Sequence, residues 1–211
     1  MQKIFFLFLI TSIALLSGCF KLVYEQPDPM PGVVEQKYYE TVNLKILLPD
    51  HAAVKEENGM VTLFHTVETF SHTDFCDFRG DSLPTTTFKD FTVKISFTDL
   101  ALDKALLKFG GNYLKEFINT DGTIKESEGF LEKTKIGAFE GYKLSQGVEG
   151  CGNDQYFFPV KNGVLVIKKD LVPELTNLST QSEKFKTTAG VILPDKANQI
   201  FEEIIKNIII K

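Results

Sequence analysis

The feature that most constrains the fold is a set of short segments in which apolar and polar residues alternate. Residues 91–97 alternate cleanly, and residues 38–48 and 60–67 alternate less regularly. We predict that residues 130–169 form three or four antiparallel strands, with turns at residues 136–137, 150–153 and 162–163. Asn162-Gly163 is the strongest hairpin dipeptide among them. A two-residue period is typical of strands with one buried face. These segments predict an antiparallel β-sheet.

Two further segments carry apolar residues at helical spacing. Thr98 or Asp99 can cap a helix over residues 99–118, which Gly110-Gly111 would kink or divide. Pro194-Asp195 opens a second helix with a broad apolar stripe that must pack on the sheet. That stripe contains Ala197, Ile200, Phe201, Ile204, Ile205 and Ile208. The order of elements predicts an α+β fold, an antiparallel β-sheet packed by a central helix and a C-terminal amphipathic helix.

The N-terminus has the three parts of a secretory signal peptide. Lys3 supplies positive charge, residues 4–16 are apolar but too short to span a bilayer, and small residues follow. Leu16-Ser17-Gly18-Cys19 resembles the lipobox of bacterial prolipoproteins. The resemblance implies cleavage before Cys19, a diacylglyceryl group on its thiol, and acylation of its new amino group by a fatty acid such as palmitate. Two or three such chains anchor a protein stably.

These features predict three parts of the chain. Residues 1–18 are the lipoprotein signal peptide, residues 19–32 are the lipidated cysteine and a proline-rich tether, and residues 33–211 are a single α+β domain. We expect an extracytoplasmic protein, lipid-anchored to the cell membrane. In a host with two membranes, Phe20 stands in place of the aspartate of an inner-membrane retention signal and favours the outer membrane.

Charge restricts the class of partner. The formal net charge is -5 and Arg79 is the single arginine, so the chain lacks the basic cluster that nucleic acid requires. The expected partners are the membrane, through the lipid anchor, and an envelope protein or a small ligand. No cofactor is predicted.

Lipidation of Cys19 would leave Cys76 and Cys151 of the three cysteines. Secretion places both in a compartment where disulfides persist, and we predict a bridge between them. In the chain-entropy model this bridge would stabilise the fold by about 4–5 kcal/mol. Two free thiols, or a cysteine nucleophile, are the alternatives.

Residues 68–90 show no convincing helix or strand pattern, and structureless loops of that length are uncommon unless functional or disordered. The segment is either an irregular flap over the core or one wall of a binding groove. The candidate binding residues are Phe70, His72, Phe75, Asp77, Phe78 and Arg79. His65 shares its strand face with apolar residues, which favours a hydrogen-bonded core histidine over a metal ligand. No strong metal-binding spacing is present, so no metal site is predicted.

The order of elements also resembles the PsbP-like family of thylakoid and bacterial proteins. The residues that carry this resemblance are Leu47-Leu48-Pro49, Gly141-Tyr142-Lys143 and the closing helix over residues 200–208. The resemblance implies an antiparallel sheet packed between helices, a binding or assembly role, and no catalytic residues.

The sequence therefore favours a non-catalytic binding or assembly module of the cell envelope, anchored to a membrane. No nucleotide-binding loop or nucleophile motif argues for an enzyme. The alternative is a metal-dependent or hydrolytic envelope enzyme that uses the region of His65, His72 and Asp77.

Overall fold

The computed structural model describes residues 37–50, 52–72, 83–148, 151–171 and 187–211, apart from the side chains of Thr69, Phe70, His72 and Val148. Residues Gln36–Lys211 form one compact unit. The signal peptide, Cys19 and the tether lie outside the described residues and stay predictions. In the described part, no helix is both long and apolar enough to cross a membrane.

Two antiparallel sheets carry the described strands. The small sheet has the order β1 (Tyr38–Glu40), β2 (Leu44–Leu47) and β10 (Ile209–Ile210). The large sheet has the order β3 (Ala53–Glu57), β4 (Met60–His72), β5 (Thr85–Thr98), β9 (Gly163–Leu171), β8 (Cys151–Val160), β7 (Phe139–Val148) and β6 (Leu131–Ile136). The predicted α+β class, with antiparallel sheets and helices, is confirmed.

The predicted central helix is three short pieces. They are α1 (Leu102–Ala105), a π-helix (Leu106–Gly110) and a 3₁₀-helix (Asn112–Phe117). Gly111 separates the last two with a φ of 121°, a conformation that favours glycine. The predicted cap is wrong, because α1 begins after Ala101 without a side-chain cap. Thr98 Oγ1 instead accepts a hydrogen bond from Leu100 N at 3.4 Å.

The C-terminal helix, α2 (Pro194–Lys206), lies where the sequence predicts it and buries its apolar stripe against one face of the large sheet. We call this the α2 face. Phe201 packs against Tyr156 of β8, with ring centroids 5.0 Å apart. The core on this face also includes Val93, Ile95 and Ile167 from β5 and β9.

The opposite face, which we call the α1 face, holds a second and smaller core. Leu106 and Leu114 from the helical segment pack there with Phe157, Val164 and Val166 from β8 and β9. Both faces of β8 and β9 therefore carry buried apolar residues, which accounts for the nearly continuous apolar runs in their sequences.

Three strand predictions need correction. Residues 38–48 form the hairpin of β1 and β2 instead of one strand. Residues 68–90 are not one irregular loop, because β4 continues to His72 and β5 begins at Thr85. Residues 150–153 were expected to form a turn, yet residues 151–153 belong to β8 and Cys151 pairs with Val148.

Candidate functional site

Six polar side chains share the α1 face at the centre of the large sheet. They come in pairs from the three central strands: Thr92 and Lys94 from β5, Lys168 and Asp170 from β9, and Asn153 and Gln155 from β8. The ladder places Lys168 opposite both Lys94 and Gln155, and Asp170 opposite Asn153. Side chains alternate along a strand, so all six point away from the α2-face core. We call them the α1-face cluster.

Two members of this cluster are buried polar residues. Gln155 is 6% exposed and Thr92 is 9% exposed. The Thr92 hydroxyl forms no side-chain hydrogen bond with any described residue. Buried polar groups in proteins are almost always hydrogen-bonded, so a group without a partner calls for an explanation.

Gln155 belongs to an amide network that uses only its nitrogen. Its Nε2 donates to Gln146 Oε1 at 2.8 Å and to Asn153 Oδ1 at 3.1 Å. Gln146 Nε2 in turn donates to the Gly110 carbonyl at 3.2 Å and to the Tyr113 hydroxyl. The network fixes the amide so that Gln155 Oε1 accepts no hydrogen bond within the described part of the chain.

The charged members of the cluster also lack partners among the described residues. Lys94 and Lys168 are half-buried and directly opposite each other. Neither forms an ion pair with a carboxylate in the segments that the structure describes, and Asp170 forms none there either. Like charges placed opposite each other destabilise a sheet. The centre of the α1 face is therefore polar and part-buried, and its polar groups are incompletely hydrogen-bonded within the described residues.

A cavity of about 480 Å³ lies next to the turn between β3 and β4, and none of the six cluster residues lines it. Met60 and Ser96 line it from β4 and β5, and Lys108 and Phe109 line it from the π-helix. Ser96 lies two residues beyond Lys94 on the same strand, so alternation places both side chains on the α1 face. π-Helical turns occur frequently at functional sites.

The α2 face carries a second polar group, centred on Asp154. Ser145 Oγ donates to Asp154 Oδ1 at 2.8 Å, and Lys143 Nζ lies 3.1 Å from Oδ2. Lys169, opposite Asp154 in the ladder, donates to Asn198 Oδ1 of α2. We call this set, with Tyr156, the α2-face cluster. Its charged groups have partners and lie beneath α2.

Burial shifts two titrations in the α2-face cluster. It lowers the pKa of Lys169, and the nearby Asp154 carboxylate opposes that shift. Burial also raises the pKa of Tyr156 far above its ordinary value of 10.0, with Asp154 and Glu202 acting in the same direction. Catalytic sites show such shifts, but so do structural networks of paired groups. The complete set of partners favours the structural role.

His65 forms a buried contact between three segments. Its Nδ1 donates to Asp90 Oδ1 at 2.6 Å, and the Asp90 side chain is fully buried. Asp90 Oδ2 accepts a hydrogen bond from Ile192 N, also at 2.6 Å. This is the hydrogen-bonded core histidine that the strand pattern predicts. The contact ties β4 and β5 to the segment before α2.

Most of the predicted site residues lie outside the described residues. These are Cys19, Phe75, Cys76, Asp77, Phe78 and Arg79. Phe70 and His72 lie in β4 by their backbone, and their side chains are not described. Cys151 is half-buried at the first position of β8, and its sulfur is disulfide-bonded. The pairing of Cys151 with Cys76 stays a prediction.

Across the described segments, no group of three or more His, Cys, Asp or Glu side chains is arranged to hold a metal ion.

The sequence pattern alone does not predict the α1-face cluster. A usable signal was present, because Asn153, Gln155 and Lys168 are polar residues in strands whose apolar runs predict burial on both faces. The sequence does not reveal the pairing of β5 with β9, which brings Lys94 beside Lys168.

No protein-family model matches this chain, and no curated protein sequence matches it either. The lipobox and PsbP-like resemblances therefore stay predictions that rest on the residues quoted for them.

Proposed function

We propose that this chain is a lipid-anchored binding module of the bacterial cell envelope, and that its ligand binds the α1-face cluster. The observation that carries the binding role is a pair of buried polar groups, Gln155 Oε1 and the Thr92 hydroxyl, which have no partner among the described residues. Leaving one such group unsatisfied costs about 1–3 kcal/mol. In natural proteins, buried polar groups without hydrogen-bond partners occur mainly at functional sites.

The anchoring role rests on the apolar N-terminal run and the sequence Leu16-Ser17-Gly18-Cys19. It is tested by mass spectrometry of protein extracted from membranes. The wild type should begin at a diacylglyceryl-modified Cys19, and Cys19→Ser should leave an unlipidated precursor without the normal cleavage. A mature N-terminus at another residue would rule out the lipoprotein role.

The binding role is tested by thermal unfolding of the mature lipoprotein in detergent micelles. Sugars, sugar acids, amino acids and organic acids are added one at a time. At least one class should raise the unfolding midpoint of the wild type, because a ligand that binds only the native state stabilises it. The double variant Thr92→Val/Gln155→Leu should lose that response.

Thr134→Val serves as the matched control, since it removes a hydroxyl from the edge strand β6, two strands away from the cluster. It should respond to the ligand like the wild type. If the double variant also responds like the wild type, the ligand binds elsewhere and the assignment of the α1-face cluster is wrong.

The second candidate is the metal-dependent or hydrolytic envelope enzyme, and the hydrogen bond between His65 and Asp90 favours it. A carboxylate that orients an imidazole is part of many general-base sites. Against a catalytic role, Asp90 also holds Ile192 and so serves a structural contact. The variant His65→Gln distinguishes the binding module from the enzyme. If the variant folds normally but loses ester hydrolysis or bound metal that the wild type shows, the protein is an enzyme.

A further inference from the structure

The lysines of the α1-face cluster differ from the other half-buried lysines of the described residues. Those others each have a polar partner: Lys45 lies 3.4 Å from Glu40, Lys143 lies 3.1 Å from Asp154, and Lys169 donates to Asn198. Lys94 and Lys168 have no such partner in the described part, although they are also half-buried. Two ammonium groups side by side on a sheet repel each other, and an anion between them would remove that repulsion.

The charge of the cluster is favourable for such an anion. Lys94 and Lys168 contribute two positive charges and Asp170 one negative charge, which leaves one net positive charge. Hydrogen bonds between an ammonium group and an oxyanion are shorter and stronger than neutral ones. A carboxylate or phosphate would therefore bind most strongly at the position between the two lysines.

The remaining groups require a ligand with more than an anionic group. Gln155 Oε1 and the Asp170 carboxylate can only accept hydrogen bonds, so they need donors from the ligand. Asn153 Nδ2 is a donor without an acceptor in the described residues, and the Thr92 hydroxyl can donate or accept. Hydroxyl groups serve all of these positions, because each hydroxyl is both donor and acceptor.

We infer that the α1-face cluster binds a small hydroxylated oxyanion, of the class of sugar acids and sugar phosphates. The inference rests on the proposed binding function of the same cluster. The oxyanion lies between Lys94 and Lys168, and the hydroxyl groups of the ligand face Gln155, Asp170 and Thr92.

Isothermal titration calorimetry of the mature lipoprotein in detergent micelles tests this assignment with four probes. Glucuronate and glucose 6-phosphate carry both an oxyanion and hydroxyl groups, glucose carries only hydroxyl groups, and acetate carries only the anion. At least one of the first two should bind about tenfold or more tighter than glucose and acetate, and higher salt should weaken its binding.

Variants locate the site. Lys94→Gln and Lys168→Gln should each weaken binding of the anionic sugar by about tenfold or more, since each removes one charge-assisted contact. Lys161→Gln is the matched control, because Lys161 is an exposed lysine in the turn between β8 and β9. It should bind within about twofold of the wild type, as expected for a distant charge screened by salt. Circular dichroism should show wild-type folding for all three variants.

The possible failures separate the two proposals. If glucose binds as tightly as the anionic sugars, and Thr92→Val/Gln155→Leu abolishes that binding, the anion assignment is wrong and the binding function stands. If an anionic sugar binds equally well to wild type, Lys94→Gln and Lys168→Gln, the anion assignment is also wrong. If none of the four probes binds and no added compound raises the unfolding midpoint, both proposals fail.

Discussion

Strands β8 and β9 carry a polar cluster on each face, built from residues that are neighbours in the chain. Asp154 and Lys169 point to the α2 face, whereas Gln155 and Lys168 point to the α1 face. On the α2 face, Asp154 has a lysine and a serine within hydrogen-bonding distance, and α2 packs above them. On the α1 face, two lysines meet and two buried polar groups lack partners among the described residues.

The polar groups of the α2-face cluster stabilise the fold, whereas those of the α1-face cluster are the ones that we propose bind a ligand. Burial alone does not distinguish them, because Asp154 and Gln155 are 8% and 6% exposed. The two residues are distinguished by how completely their side chains are hydrogen-bonded. A buried polar group without a partner lowers stability, and only a ligand or a bound water can restore that stability. The α2-face cluster should therefore respond to mutation as a structural unit, and the α1-face cluster as a binding site.

The largest effect is expected from Asp154→Ala. The substitution leaves Lys143 without its 3.1 Å partner and Lys169 without the carboxylate that favours its charged form. Removing one member of a fully buried ion pair costs about 3–5 kcal/mol, and the partial exposure of Lys143 places the expected loss at the lower end of that range. Urea unfolding of the mature protein at neutral pH should show a loss of about 3 kcal/mol in the free energy of unfolding.

Asp170→Ala is the matched control on the α1 face, because Asp170 has no ion pair within the described residues. Its removal should change the free energy of unfolding by less than about 0.5 kcal/mol, as for substitutions away from specific contacts. Equal losses for Asp154→Ala and Asp170→Ala would show that the two clusters do not differ as we describe.

A smaller effect is expected from Tyr156→Phe, and it should depend on pH. The Tyr156 hydroxyl is buried near the Asp154 carboxylate, and its removal should cost up to about 1 kcal/mol near neutral pH. The pKa of Tyr156 is raised in the folded state, so its contribution is complete below the ordinary value of 10.0 and is lost as pH rises beyond it.

The measurement is the free energy of unfolding of wild type and Tyr156→Phe from pH 7 to pH 11. The wild type should lose stability above about pH 10 that the variant keeps, so the difference between them should narrow and then reverse. A constant difference up to pH 11 would mean that Tyr156 titrates normally and that the α2-face cluster is more open than its burial indicates.

The sequence predicts the helices and strands that have a strong local pattern. It does not predict those that depend on pairing with another strand. The α2 helix and the strands β6 to β9 follow from an apolar stripe and from alternation around the turn at Asn162-Gly163. The edge strand β3 was missed because its sequence, AVKEE, is mostly polar and exposed. The outer halves of β4 and β5 lack a regular strand pattern in sequence, because they pair with each other across irregular register.

The candidate site was harder to predict for the same reason. Lys94 alone is typical of the solvated face of a strand, and Lys168 alone is typical of a strand end. Their significance depends on the non-local pairing of β5 and β9, which adjacent sequence does not encode. The predicted site residues around Phe75 and Asp77 lie outside the described residues, so the structure does not test them. The site proposed on the α1 face is a different candidate.

The smallest expected effect is a gain in stability from Lys168→Met. The substitution removes the repulsion with Lys94 and keeps a long apolar side chain beside the α1-face core. We expect the free energy of unfolding to rise by up to about 0.5 kcal/mol in the absence of ligand. Lys143→Met is the matched substitution on the α2 face and should instead destabilise, because it removes a partner of buried Asp154.

Urea unfolding of both variants and calorimetry with glucuronate decide this last comparison. A binding residue is one whose loss weakens the ligand complex without weakening the free protein, a trade-off that functional sites commonly show. Lys168→Met should therefore be at least as stable as the wild type and bind glucuronate at least about tenfold more weakly. If Lys168→Met unfolds as readily as Lys143→Met, Lys168 has a structural partner, and the contrast between the two faces is lost.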